Sequence, residues 1–164
     1  MQGIKVPFSP YLACDIARNV LGRRWPEAED LIASDPEAAC LYSKYLVKGR
    51  WKRAEKTVSE SPWAYWYAVN VVGGRWPEGE DAIAEHPYLS FRYAYDVVKG
   101  PWPKGEPAVK SDPDCAKMYA YEFEGSGEPY QMFRYGPQDD VREKAGRKLD
   151  AVRNMLDARG NCTQ

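Results

Sequence analysis

Any chemistry this chain performs must come from a short list of side chains. Its 164 residues include one histidine, His86, and four cysteines, Cys14, Cys40, Cys115 and Cys162. Carboxylates come in close pairs, Glu27 with Glu29 and Glu78 with Glu80, an arrangement that acid-base catalysis or a cation site would use. Two residues apart on a helix, however, such side chains point to different faces, and in a first turn they complement the helix macrodipole. The pairs therefore read as structural. The cysteines show neither a CxxC pair nor a histidine at zinc-finger distance, and they read as reduced, buried thiols. His86 has no recurring Cys, Ser or carboxylate partner. With no phosphate-binding glycine loop, nucleophile elbow or metal-ligand cluster in the sequence, no catalytic residue, metal or cofactor is assigned, and the chain reads as non-enzymatic.

A further chemical motif is Arg beside Trp, at Arg24-Trp25, Arg50-Trp51 and Arg75-Trp76. Guanidinium and indole planes are common stacking platforms for single-stranded nucleic acid. This motif defines the alternative function class, a single-stranded or duplex nucleic-acid binder using Arg23, Arg24, Arg50, Lys52, Arg53 and Arg75 along one edge. The structural reading is the stronger one, because a residue that recurs once per unit usually builds the unit. Each of these arginines is placed to pair with the Glu four residues after its Trp, namely Glu29, Glu55 and Glu80. Pro101 replaces the Arg in the next unit while Glu106 stays, so pairing alone does not account for every Glu.

The elements that position these residues follow from the spacing. Trp25, Trp51, Trp76 and Trp102 recur at intervals of 26, 25 and 26 residues, the period of a solenoid. Prolines keep the same beat, Pro10, Pro36, Pro62, Pro87 and Pro113 opening one helix of each unit and Pro26, Pro77 and Pro103 opening the other. Ser9, Asp35, Ser61 and Asp112 stand before the first set as N-caps, with His86 the exception. In the longer helix, Ala13, Ala39, Ala64 and Ser90 lie twelve before the Trp, and Ala17, Ser43, Ala68 and Ala94 lie eight before it. Val20-Leu21, Leu46-Val47, Val71-Val72 and Val97-Val98 complete one apolar stripe, the expected buried side. Gly22, Gly49, Gly74 and Gly100 are the expected left-handed stops. The shorter helix carries the column Ile32, Val58, Ile83 and Val109, too narrow to be stable without its neighbours.

These periods predict one all-α domain over residues 1–164, a short α-solenoid of helical-hairpin repeats with a C-terminal capping helix. The tandem repeats span 9–125, a degenerate repeat turn 126–137, and the capping helix 138–158. A formal net charge of -1, from 23 basic and 24 acidic residues, gives no overall bias toward nucleic acid. No apolar run approaches the roughly 18 to 20 residues that span a bilayer, and the start lacks a signal-peptide layout. A cytoplasmic protein with no membrane partner is expected.

Positions that break the repeat are where a repeat protein writes specificity. Trp63, Tyr65, Trp66 and Tyr67 form an aromatic run, continued by Tyr88, Phe91, Arg92, Tyr93 and Tyr95. Tyr67 and Tyr93 share a regular column with Tyr42 and Tyr119 and are expected to be structural. A second patch, 130–135, contains Phe133 and Arg134. The expected protein-binding anchors are Trp63, Trp66, Phe91, Arg92, Tyr95, Phe133 and Arg134, residue types that dominate binding hot spots.

The pattern GRWPEGExxIAxDPxxxxxYAxxVVxG resembles uncharacterised helical tandem repeats of bacteriophage and bacterial proteins. The likeness covers residues 9–125 and is best over 74–98. It implies a phage or mobile-element origin and the cytoplasm of the host cell. By analogy with small phage proteins, it also implies an inhibitor of a host defence complex such as an anti-CRISPR. The expectation is thus a non-enzymatic protein-binding helical repeat with an unidentified protein partner.

Overall fold

The computed structural model describes residues 9–127, which lie in the first of the chain's two units, Met1–Pro129. The expected capping helix, Phe133, Arg134 and Cys162 lie outside the described residues. Among the described residues the fold is all-α, with no strand. Longer helices open with α1 (Pro10–Asp15), α3 (Pro36–Tyr42), α5 (Trp63–Tyr67), α7 (Pro87–Tyr93) and α9 (Pro113–Glu124). Shorter ones alternate with them: α2 (Glu29–Ala33), α4 (Lys52–Ser59), α6 (Glu80–Ala84) and α8 (Glu106–Ser111). No described helix is long and apolar enough to cross a membrane.

Local chemistry sets where each helix starts. The Ser9, Asp35 and Asp112 side chains accept hydrogen bonds from Leu12, Ala38 and Cys115 amides at 3.2, 2.8 and 2.8 Å, satisfying donors that a first turn leaves free. Ser61 departs from the expected capping role. Its hydroxyl donates back to the Val58 carbonyl at 2.8 Å, and the helix begins one residue late, at Trp63. Among the shorter helices, Pro26 and Pro77 impose a tight 3-10 turn (Pro26–Ala28 and Pro77–Gly79) before the α-helix. Where Lys52 replaces the proline, α4 runs continuously from the start.

The longer helices end in an unexpected way. After α1, α3, α5 and α7 the backbone widens into π-helical segments, Ile16–Leu21, Ser43–Val47, Ala68–Val72 and Ala94–Val98. The carbonyls of Ala17, Ser43, Ala68 and Ala94 each accept from the amides five and six residues ahead. That double bond pulls the chain into the left-handed region at Gly22, Lys48, Gly73 and Lys99, with φ of 62°, 60°, 74° and 57°. The expected stops at Gly49, Gly74 and Gly100 are thus one residue late, and lysine takes the strained position twice.

The small-residue positions and the Ile-Val column are in the core. Ala13, Ala39, Ala64 and Ser90, with Ala17, Ser43, Ala68 and Ala94, are wholly buried, and so is the column Ile32, Val58, Ile83 and Val109. Alanine and serine at these crossings let helix backbones approach closely. The last part of the expected stripe behaves differently. Leu46, Val47, Val71, Val72, Val97 and Val98 are only partly covered, and Val20 and Leu21 are exposed at 58% and 38%. A widened turn no longer keeps the 3.6-residue register that placed these side chains on the buried face.

Candidate functional site

Two groups of repeated side chains must be separated before a site can be named. The first belongs to the architecture. Tyr42, nine residues before Trp51, lays its ring on that indole at 4.9 Å between centroids, while its hydroxyl reaches back to the preceding unit. There it accepts from the Trp25 amide at 2.7 Å and donates to Glu29 Oε1 at 3.1 Å. Tyr67 does the same for the Trp51 amide and Glu55, at 2.7 and 3.4 Å. Tyr93 serves the Trp76 amide and Glu80 at 2.9 and 3.0 Å, and Tyr119 the Trp102 amide and Glu106 at 2.7 and 3.2 Å. Tyr67 and Tyr93 stack on Trp76 and Trp102, each at 4.7 Å. One hydroxyl thus serves one orphan amide and one carboxylate per unit, and the ring fills the next layer.

The Arg-Glu pairs complete this bridge. Arg24 Nε donates to Glu29 at 2.8 Å, Arg50 binds both oxygens of Glu55 at 2.6 and 2.8 Å, and Arg75 holds Glu80 at 2.9 Å. In the Pro101 unit, Lys110 replaces the arginine, donating to Glu106 Oε2 at 3.0 Å, so every Glu has both a cation and a tyrosine. Glu29 and Glu80 are buried and their neighbours Glu27 and Glu78 exposed, which separates the carboxylate pairs onto different faces. Hydrogen bonding to its own backbone amide, and then to Arg50, holds the Glu78 carboxyl below its ordinary value. Trp51, Trp76 and Trp102 are buried and Trp25 half-buried, so the tryptophans that mark the repeat form part of its core. Around Trp76 the packing is close. The indole is wholly buried, its N–H lacks an acceptor, and Gly79 leaves no Cβ that would meet the ring.

This accounts for most of the cationic edge. Arg24, Arg50 and Arg75 are paired as above, Arg50 also with Glu78 at 3.1 Å. Arg53 pairs with Asp30 and Glu29 at 3.2 and 3.5 Å. Arg23 and Lys52 are exposed. Among the described residues no group of three or more His, Cys, Asp or Glu is placed to hold a metal ion. Cys14, Cys40 and Cys115 are buried free thiols, and burial pushes Cys14 and Cys115 up to about 12. A thiol so rarely ionised is a packing group, not a nucleophile. His86 is exposed and makes no capping bond.

The second group lies where the units differ. Of the expected anchors, Trp66 and Phe91 are buried at 7% and 2% exposure. Trp66 lies under the Lys44 ammonium, 5.0 Å from its ring, and edge-on to the half-buried Trp63 at 6.2 Å. Phe91 supports the ring of Tyr95, which is exposed at 37%, from 6.1 Å. Arg92 donates to Asp96 at 2.8 Å and to the Tyr88 hydroxyl at 3.2 Å, and Tyr65 donates to the same Asp96 oxygen at 2.6 Å. Burial and then that bond hold the Tyr65 phenol far above its ordinary value. Trp63, Arg92 and Tyr95 therefore retain accessible surface, Trp63 against Trp66, Tyr95 against Phe91 and Arg92 held by Asp96 and Tyr88.

Three surface residues escaped the sequence reading. Tyr45, Val69 and Tyr121 are exposed at 45%, 38% and 41% and, with Tyr95, stand on the closing turns of successive long helices. Their only signal is position: Tyr45 stands six before Trp51, and Val69 and Tyr95 stand seven before Trp76 and Trp102. Neighbouring π segments touch there. Arg18 of one unit lies over the Tyr45 ring of the next at 5.1 Å, and Lys44 donates to Asn70 of the unit after at 2.7 Å. This arrangement presents aromatic rings with cations over their faces. Compared with protein-family models, curated proteins and solved structures, the chain matches none.

Proposed function

We propose that the chain is a non-enzymatic α-solenoid of helical-hairpin repeats that binds a protein partner through its repeat-breaking face. The stack is supported by the tyrosine bridge, which recurs four times in one register and always joins one unit to the next. The observation that carries the binding role is the row Tyr45, Val69, Tyr95 and Tyr121, exposed on four successive long helices. Single exposed apolar residues are ordinary; a set that recurs at two adjacent register positions of successive units marks an interaction surface. Trp63 and Arg92 extend it with residue types that dominate hot spots. A phage-encoded inhibitor of a host defence complex such as an anti-CRISPR is the most concrete form of this reading, and it rests on the repeat's resemblance alone.

The nucleic-acid alternative loses ground because four of its six cations already face carboxylates, which lowers the positive potential along that edge. Affinity capture from the cell that carries the protein tests the proposal. Wild-type protein should retain a protein partner, and Tyr95→Ala should lose it while melting normally. Capture of nucleic acid with an affinity that falls steeply with salt would contradict it.

A further inference from the structure

We propose that the segment docking on this face is an α-helix that lies along the row, acidic at the end over Arg18 and Lys44 and basic at the end over Glu122. The inference rests on the protein-binding reading above and goes on to specify what binds. Spacing selects the helix. Packed helices stand roughly 8 to 10 Å apart, so the exposed side chains of successive units recur at about that interval. A partner helix returns to the same face every seven residues, a rise of about 10.5 Å. An extended strand repeats its face about every 6.6 or 13 Å and would miss alternate anchors.

Charge selects the polarity. Taking the two register positions that form the ridge, the units carry in turn Arg18 with Asn19, Lys44 with Tyr45, Val69 with Asn70, Tyr95 with Asp96, and Tyr121 with Glu122. The row runs from cationic through apolar to anionic. Asp15 offsets Arg18 at 3.3 Å and Arg92 offsets Asp96 at 2.8 Å, so Lys44, which donates to the neutral Asn70, and the exposed Glu122 carry the two ends. A segment with the opposite gradient gains at both ends and a reversed one loses at both, so the gradient fixes direction as well as partner.

Photocrosslinking in the full-length protein tests this. A benzoylphenylalanine is placed at Tyr45, at Tyr121 or, as a control on a different face, at Glu85, and the crosslinked partner peptide is sequenced by mass spectrometry. Tyr45 and Tyr121 stand three units apart, so their crosslinks should fall in one partner segment about 16 to 20 residues apart. Apolar residues should recur every seven, with carboxylates near the Tyr45 site and lysines or arginines near the Tyr121 site. Crosslinks a few residues apart, an alternating apolar pattern or the opposite charge order would overturn the inference. Crosslinks from Glu85 alone would overturn it while leaving protein binding intact. No protein crosslink from any position would contradict the binding reading itself.

Discussion

The tyrosine hydroxyl is the residue on which the most energy turns. In Tyr93→Phe the buried Trp76 amide loses its acceptor and the buried Glu80 loses a donor, so stability should fall by about 2 to 3 kcal/mol in chemical denaturation. Tyr67→Phe should cost less, about 1 to 2 kcal/mol, because its bond to Glu55 is 3.4 Å long and Glu55 is less buried. Gly79 offers a second test. A Cβ there would lie 2.6 Å from the Trp76 ring and 2.8 Å from Ala64, so Gly79→Ala should destabilise by about 1 to 3 kcal/mol through overpacking. In the first two units Ala28 and Ala54 hold the same place and are wholly buried, which shows that those layers have room for the methyl. The Arg-Glu pairs were legible in the sequence from their spacing, five residues apart. The tyrosine's link to the previous unit was not, because it joins residues 16 or 17 apart whose meeting depends on how helices stack.

At the scale of the element, the long helices carry the strain. Lys48 and Lys99 hold φ near 60° where Gly22 and Gly73 stand in the sister units, a conformation that costs a residue with a Cβ roughly 1 to 2 kcal/mol. Lys48→Gly and Lys99→Gly should therefore stabilise by about 0.5 to 1 kcal/mol once the extra freedom of the unfolded glycine is subtracted. Differential scanning calorimetry would register each as a raised melting temperature. Asp35→Ala should do the opposite, costing about 1 kcal/mol through the lost cap. Helix order, the Asp-Pro starts and the buried Ala and Ile-Val columns could all be read from sequence, since each follows from local propensity and a 3.6-residue period. The π segments could not. They depend on one carbonyl serving two amides, and the sequence pattern Val-Val-Lys-Gly or Val-Val-Gly-Gly serves an α-helical end equally well. That one difference moved the left-handed residue by one position and lifted the valine pairs partly out of the core.

For the molecule as a whole, the proposal separates the residues that build the stack from those offered to a partner. Burial pushes Tyr93 up to about 12, and likewise Cys14 and Cys115. Groups raised in the folded state contribute stability that is complete below their unfolded values and is lost as pH rises through the folded ones. Unfolding monitored by circular dichroism should therefore show stability falling between about pH 9 and 12. The proposed face was only partly legible from sequence. Aromatic breaks in the repeat do not say which rings face solvent: the expected anchors Trp66 and Phe91 are buried, while Tyr45, Val69 and Tyr121, not singled out, are exposed. The central claim is that bridge and face are separable, and the affinity of the captured partner for Tyr95→Ala and Tyr93→Phe, measured side by side, tests it most directly. The account predicts that Tyr95→Ala melts like the wild type yet binds at least about tenfold more weakly, and that Tyr93→Phe is less stable but, while folded, binds normally. Unchanged binding by Tyr95→Ala, with affinity lost in Tyr93→Phe well below its melting point, would contradict it.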